Sequence, residues 1–166
     1  SGLRRVGKST LLAQIAKRFM PQNSYYFVNF EDERFLNFTA NDFNLLFETL
    51  LELFGHRRTF FLDEVQNVSG WERFVRRMID QKYKFYITGS NASLLSDELG
   101  TKLTGRYIPL ELFPFSFTEF LAFKGQKAPD TALLTTLQKG RLKKHFNEYL
   151  EIGGIPDALK YPEINL

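Results

Sequence analysis

The sequence predicts an α/β fold built on a parallel sheet. Three observations predict it. A glycine-framed loop ending in Gly7-Lys8-Ser9 runs straight into an amphipathic helical stretch. Aromatic and β-branched runs then alternate with helical stripes, as in strand–helix–strand units. One of those runs, Thr59 to Leu62, is apolar to its end and closes on two acids, Asp63 and Glu64. A strand buried on both faces reads this way, delivering carboxylates at the C-terminal edge of a parallel sheet.

The opening loop, Gly2-Leu3-Arg4-Arg5-Val6-Gly7-Lys8-Ser9, fits the pattern G-x-x-x-x-G-K-[ST] of a phosphate-binding P-loop. A phosphate chain needs many donors close together. Gly2 and Gly7 present no side chain, so the backbone N–H groups of the loop can wrap the phosphates. Lys8 reaches the β- and γ-phosphates, and the Ser9 hydroxyl is a ligand for Mg²⁺. The alternative is a glycine-rich turn before an ordinary helix. From Thr10 to Phe19 the stripe Leu12, Ile15, Ala16 and Phe19 predicts a helix whose positive end faces the same phosphates. Pro21 and Asn23 end it. Such a loop follows a strand, and no strand precedes Gly2, so the chain reads as a trimmed portion of its domain.

Tyr25 to Phe30 reads as a strand, and Glu31-Asp32-Glu33-Arg34 as a solvated acidic loop, with a place near the nucleotide as the alternative. Asn41 to Phe54 is a helix with Phe43, Leu46, Phe47, Leu50, Leu51 and Phe54 on its core face, ended by Gly55. His56 lies in a short basic turn and is read as solvated. Downstream of the loop, Asp63 is the residue to hold Mg²⁺, and Glu64 the one to orient the attacking water. Ser69-Gly70-Trp71-Glu72 has the spacing of a capping box. Trp71, Phe74, Val75, Met78 and Ile79 make the next core stripe, with Arg73, Arg76 and Arg77 opposite. That basic face is a solvated surface or a contact for nucleic acid or a neighbouring subunit.

Lys84 to Thr88 is a third strand, followed by Gly89-Ser90-Asn91. Ser90 and Asn91 are placed to contact the γ-phosphate or the water; a plain turn is the alternative. Tyr107 to Leu112 is an extended segment that Pro109 confines to a sheet edge. Arg106, just before it, is a candidate for stabilising charge on the transferring phosphate, within its own subunit or across an interface; a surface arginine is the alternative. Ser116-Phe117-Thr118-Glu119 is a second capping box. Gly125 to Asp130 reads as a linker, and Thr131 to Glu151 as a longer basic helix with Leu142, Phe146, Tyr149 and Leu150 on one stripe. Gly153-Gly154-Ile155-Pro156 breaks it, and the tail shows no clear element.

The bulk numbers narrow the function classes. A chain of 166 residues with 43% hydrophobic residues suffices for one α/β domain, or for one domain and part of another. With 22 Lys and Arg against 19 Asp and Glu, net charge alone does not argue for nucleic acid. The absence of cysteine excludes disulfides, cysteine catalysis and zinc–thiolate sites. No apolar run approaches the ~20 residues that cross a bilayer. The expectation is a cytoplasmic protein without a membrane partner.

In order, GLRRVGKSTLL, FFLDEVQNVSGWE, YITGSNASLLS, LTGRYIPLELFPFSFTEF and YLEIGGIP resemble a group of prokaryotic AAA+-type P-loop ATPases. In that group a nuclease-like C-terminal domain of unknown function usually follows. The resemblance implies a three-layer P-loop NTPase sandwich, a mainly parallel sheet between helices with strand order 5-1-4-3-2, here lacking strand 1. Residues 1–112 would be the ATPase core, and 113–166 a linker and the start of a helical lid. It implies that Gly2 to Thr10 form the Walker A loop and that Asp63 and Glu64 are the Walker B acids. Ser90 and Asn91 would lie in the sensor-1 region, and Arg106 would be the arginine of a Gly-Arg motif. ATP and Mg²⁺ are then the expected cofactors. The expected activity is ATP hydrolysis, with Lys8, Glu64 and Arg106 as its residues. A slow nucleotide-controlled switch is the alternative, its output passed to a second copy, another protein or DNA.

Overall fold

The computed structural model describes residues 1–89, 103, 105–127 and 134–160. The chain divides into two compact units. One comprises Ser1–Gly2 and Gly7–Glu111, the other Leu3–Val6 and Leu112–Leu166.

The first unit is built on a three-stranded parallel sheet in the order β1 (Tyr25–Asn29), β2 (Thr59–Asp63), β3 (Lys84–Ile87). This is the 2-3-4 portion of the expected arrangement. Register runs from Tyr25 opposite Thr59 to Asn29 opposite Asp63, and from Thr59 opposite Lys84 to Leu62 opposite Ile87. As the central strand, β2 is buried along its whole length. Alternation sends its aromatic residues to opposite layers. Phe61, 0% exposed, meets Leu12 and Ala16 of helix α1 (Lys8–Phe19) and stacks on Tyr86 at 4.6 Å. Phe60 and Leu62 face the other layer, helices α2 (Phe43–Phe54) and α3 (Trp71–Asp80), through Phe43, Leu50, Phe74 and Met78. The α/β class, the parallel sheet and its flanking helices are as predicted. Many of the phenylalanines form one aromatic core, with Phe43 stacked on Phe74 at 4.6 Å and Phe60 on Phe85 at 5.0 Å.

Local chemistry shifts several boundaries. Helix α1 starts at Lys8, two residues earlier than the expected Thr10, because Gly7 serves as N-cap at φ 94, a conformation glycine tolerates. The acidic loop is not merely solvated. Asp32 caps a short 3₁₀ turn, Glu33–Phe35, and pairs with Arg34. The Arg34 side chain, then its amide, hold the Asp32 carboxyl down at about 2. The capping box expected at Ser69 does not form, since Gly70 takes the N-cap position at φ 81 with no side-chain cap bond. His56 is exposed but engaged, its Nε2 3.0 Å from the Tyr83 hydroxyl. The expected edge strand over Tyr107 to Leu112 is not a strand. Pro109 lacks a donor, Ile108 is 95% exposed, and an isolated bridge at Leu112 is the segment's sole strand-like feature.

The second unit holds α4 (Phe117–Phe123), α5 (Thr136–Ile152) and α6 (Pro156–Lys160). Both α4 and α5 carry full capping boxes, Ser116 with Glu119 and Thr135 with Gln138. The first is the one read from the sequence. Phe117 and Phe120 meet Phe146 and Tyr149 edge-on or tilted, at 5.2 to 5.6 Å. The Tyr149 hydroxyl donates to the Phe115 carbonyl at 2.9 Å. The tail does contain an element. Pro156 reads as a breaker, yet it opens α6, where its missing N–H costs nothing. Among the described residues no helix is long and apolar enough to cross a membrane.

Candidate nucleotide site

The site forms where α1 begins and β2 ends. Helix α1 has no side-chain cap and no acid in its first turn. The first N–H groups of a helix have no acceptor within it, so this end is suited to an anion. Lys8 opens the helix at 7% exposure, and its ammonium donates to the Gly2 carbonyl at 3.2 Å. Ser9, on the same turn, donates from its hydroxyl to Asp63 Oδ1 at 3.0 Å. The start of α1 and the end of β2 are therefore in direct contact, although 54 residues separate Ser9 from Asp63.

Asp63 is 2% exposed. Its carbonyl accepts from Phe30 N–H at 2.9 Å, which fixes the backbone where β2 leaves the sheet. Oδ1 takes a second hydroxyl, that of Thr88. Both donors are neutral oxygens, which fix the carboxylate without cancelling its charge. The same Thr88 Oγ1 accepts from Glu64 N–H at 3.1 Å, and the Thr88 carbonyl accepts from Val65 N–H at 3.3 Å. One threonine thus ties both acids together. Glu64 sits at φ 50, ψ 41, left-handed and non-glycine. Such a residue costs about 1–3 kcal/mol and persists only where its surroundings hold it.

Thr88 is a functional candidate that reading the sequence missed as such. Its signal is register. Leu62 lies opposite Ile87, so the next position along β3 stands beside Asp63. The residues named instead, Ser90 and Asn91, lie outside the described residues.

Leu3, Arg4, Arg5 and Val6 group with the second unit; Arg5 has φ 63 and Val6 is buried. Arg106 pairs with Asp80 at 2.8 Å. Asp80 closes α3, roughly 14 Å along the axis from Trp71 at a rise of about 1.5 Å per residue. That end leads into the start of β3, whereas Asp63 stands at the finish of β2, so the structure does not bring Arg106 to Lys8 and Asp63. Arg73 and Arg76 are exposed, while Arg77 bonds Asn44 and lies over the Phe74 ring.

The donor set suits a hard cation: one hydroxyl and one carboxylate, both oxygen. Among the described residues no cluster of three His, Cys, Asp or Glu exists, so no all-protein metal cage forms there. Magnesium bound through one or two protein oxygens, with phosphate and water completing its shell, needs no such cage.

A sheet of parallel strands, a glycine-capped helix behind the opening loop and paired acids at the central strand's end define a nucleotide-binding α/β protein of the P-loop type. The family described as an AAA domain matches residues 1–121, and the chain belongs to it. The family is one of nucleotide-binding, ATPase-like proteins. An uncharacterised protein of Methanocaldococcus jannaschii is 36% identical over 165 residues, covering 99% of this chain and 36% of that protein. One from Haemophilus influenzae, also uncharacterised, is 33% identical over 98% of this chain and 40% of its own length. A second uncharacterised Methanocaldococcus jannaschii protein is 26% identical over 99% of this chain and 39% of itself. The chain thus spans well under half the length of these relatives.

Proposed function

We propose that this chain is the nucleotide-binding and hydrolysing part of a Mg²⁺-dependent ATPase. The observation that carries the reading is the Ser9–Asp63 hydrogen bond, which joins the P-loop helix to the acid of the central strand. In this reading Ser9 and Asp63 hold Mg²⁺, which when bound neutralises charge on the β- and γ-phosphates. Lys8 binds phosphate oxygens from the buried start of α1. By resemblance, the backbone amides of the Walker A stretch, Gly2 to Thr10, supply the remaining donors. Glu64, held by its backbone beside Asp63, accepts a hydrogen bond from the attacking water and aligns it with the γ-phosphate. Ser90 and Asn91 contribute to the γ-phosphate side by resemblance. Arg106 acts from a neighbouring copy, after leaving Asp80. No guanine-specificity motif is present, which favours ATP.

Residues 113–166 are proposed as the beginning of a helical lid. The chain is proposed as the ATPase part of a longer cytoplasmic protein, of the group with a nuclease-like C-terminal domain. What supports a longer protein is that the chain spans only 36–40% of its relatives' lengths; the nuclease-like domain rests on the sequence resemblance alone.

The test uses the full-length protein. Glu64→Gln is expected to keep ATP affinity and to lose turnover by about 100-fold or more. Lys8→Ala is expected to abolish binding in titration calorimetry. Full affinity in Lys8→Ala, or unchanged hydrolysis in Glu64→Gln, would overturn the reading.

A further inference from the structure

Gln66 has no part in the site as described so far. It lies in the single 3₁₀ turn Val65–Asn67, directly after Glu64. Its side-chain amide Nε2 donates to Glu64 Oε2. The turn that carries it is pinned on both sides. Before it, Val65 is fully buried and tied to Thr88 through its N–H at 3.3 Å. After it, Asn67 donates from Nδ2 to the Phe30 carbonyl at 3.2 Å, and Val68 is buried. The amide therefore reaches Glu64 from a fixed post.

Glu64 needs such a post. Its backbone is set by its left-handed conformation and by Thr88, but three further torsions separate the carboxylate from that backbone. A carboxylate that must meet one water in one direction gains from losing that freedom beforehand. The choice of donor matters as well. Lysine or arginine would make an ion pair and bind up the negative charge. A neutral amide orients the carboxylate and leaves its charge to act on the water. Asparagine, one methylene shorter, would not span the same gap.

We propose that Gln66 is a positioning residue for ATP hydrolysis: its amide holds the Glu64 carboxylate in the orientation that receives the attacking water. The inference rests on the ATPase reading above. In this role Gln66 acts through Glu64 and not on the nucleotide or the water directly.

The experiment compares full-length wild type, Gln66→Met, Gln66→Asn, Glu64→Gln and the Gln66→Met/Glu64→Gln double variant in single-turnover ATP hydrolysis and in calorimetry with ATP. Gln66→Met keeps bulk and removes the donor. It is expected to lower the hydrolytic rate about 10- to 100-fold while ATP affinity stays within about twofold of wild type. Gln66→Asn is expected not to rescue the rate. In the Glu64→Gln background the same Met substitution should cost at most about twofold, since the residue it serves is gone. An equal loss in both backgrounds, or an unchanged rate in Gln66→Met with a wild-type melting temperature, overturns the proposal.

A second readout needs no turnover. In nucleotide-free protein the Gln66 side-chain amide resonances, assigned by their loss in Gln66→Met, should move in Glu64→Gln. Resonances that stay put also overturn it. Failure of the ATPase reading looks different: wild type would not hydrolyse ATP, whatever the amide resonances do, and the role for Gln66 would fall with it.

Discussion

Strand β2 and helix α5 are opposites. Every residue of β2 is buried, while none of the 17 residues of α5 is. The strand is bonded along both edges and covered on both faces, so Asp63 at its end inherits a fixed position. The helix is secured by a capping box at one end and by an aromatic edge along one side, with Lys124 paired to Glu148. Chemistry that depends on placing an oxygen to within a fraction of an ångström belongs on the first kind of support. A surface with few buried contacts opens more readily and tolerates more change.

The largest test of that contrast is a matched pair of truncations. Phe61→Ala in the sheet core is expected to cost about 3–5 kcal/mol. Phe146→Ala in α5, where the ring is 43% exposed, is expected to cost below about 1 kcal/mol. Urea unfolding of each variant checks this, and equal losses would erase the distinction. Next in size is Thr88→Val, which keeps the shape and removes the hydroxyl shared by Asp63 and Glu64. We expect a loss of about 1–3 kcal/mol in thermal or urea unfolding, with Thr88→Ser recovering most of it. In the helical unit the comparable change is Ser116→Ala, which removes the cap of α4 and is expected to cost about 1 kcal/mol.

The smallest effect is in acid. The Ser116 amide first and its hydroxyl next hold Glu119 below its ordinary 4.5. A hydrogen bond from Lys124 is the largest cause of the same lowering at Glu148. Lowered folded values mean that the unfolded chain takes up protons first. The stability these groups add is therefore complete above pH 4.5 and is lost as pH falls through their lower folded values. Melting temperature followed from pH 6 to pH 3 should fall more in wild type than in Ser116→Ala. A wild type that gains stability on acidification would contradict the assignment.

Half of the candidate site is legible in the sequence. Loop and acids stand out because each is a contiguous run whose residue types serve one chemistry. Thr88 does not stand out. A threonine at the end of a strand looks like any other, and its importance comes from a neighbour 25 positions away. Gln66 is hidden for a related reason, since a polar residue in a turn is the commonest of surface features. The Ser69 capping box failed because spacing is necessary but not sufficient. The backbone at Gly70 decided the cap, and its left-handed turn is invisible in side-chain spacing. For Arg106 the sequence leaves open a place at the phosphate or a surface position, and in this structure it pairs with Asp80.

Periodicity and short motifs are local properties. By themselves they determined the α/β class, the buried central strand, the helix behind the loop and the two acids as a pair. Which hydroxyls reach Asp63, what holds Glu64 and where Arg106 rests were decided only when parallel register set β2 beside β3 and brought α1 against it. Those contacts join residues far apart in the chain, and their geometry comes from packing a sheet between helices, which no single stretch of sequence contains.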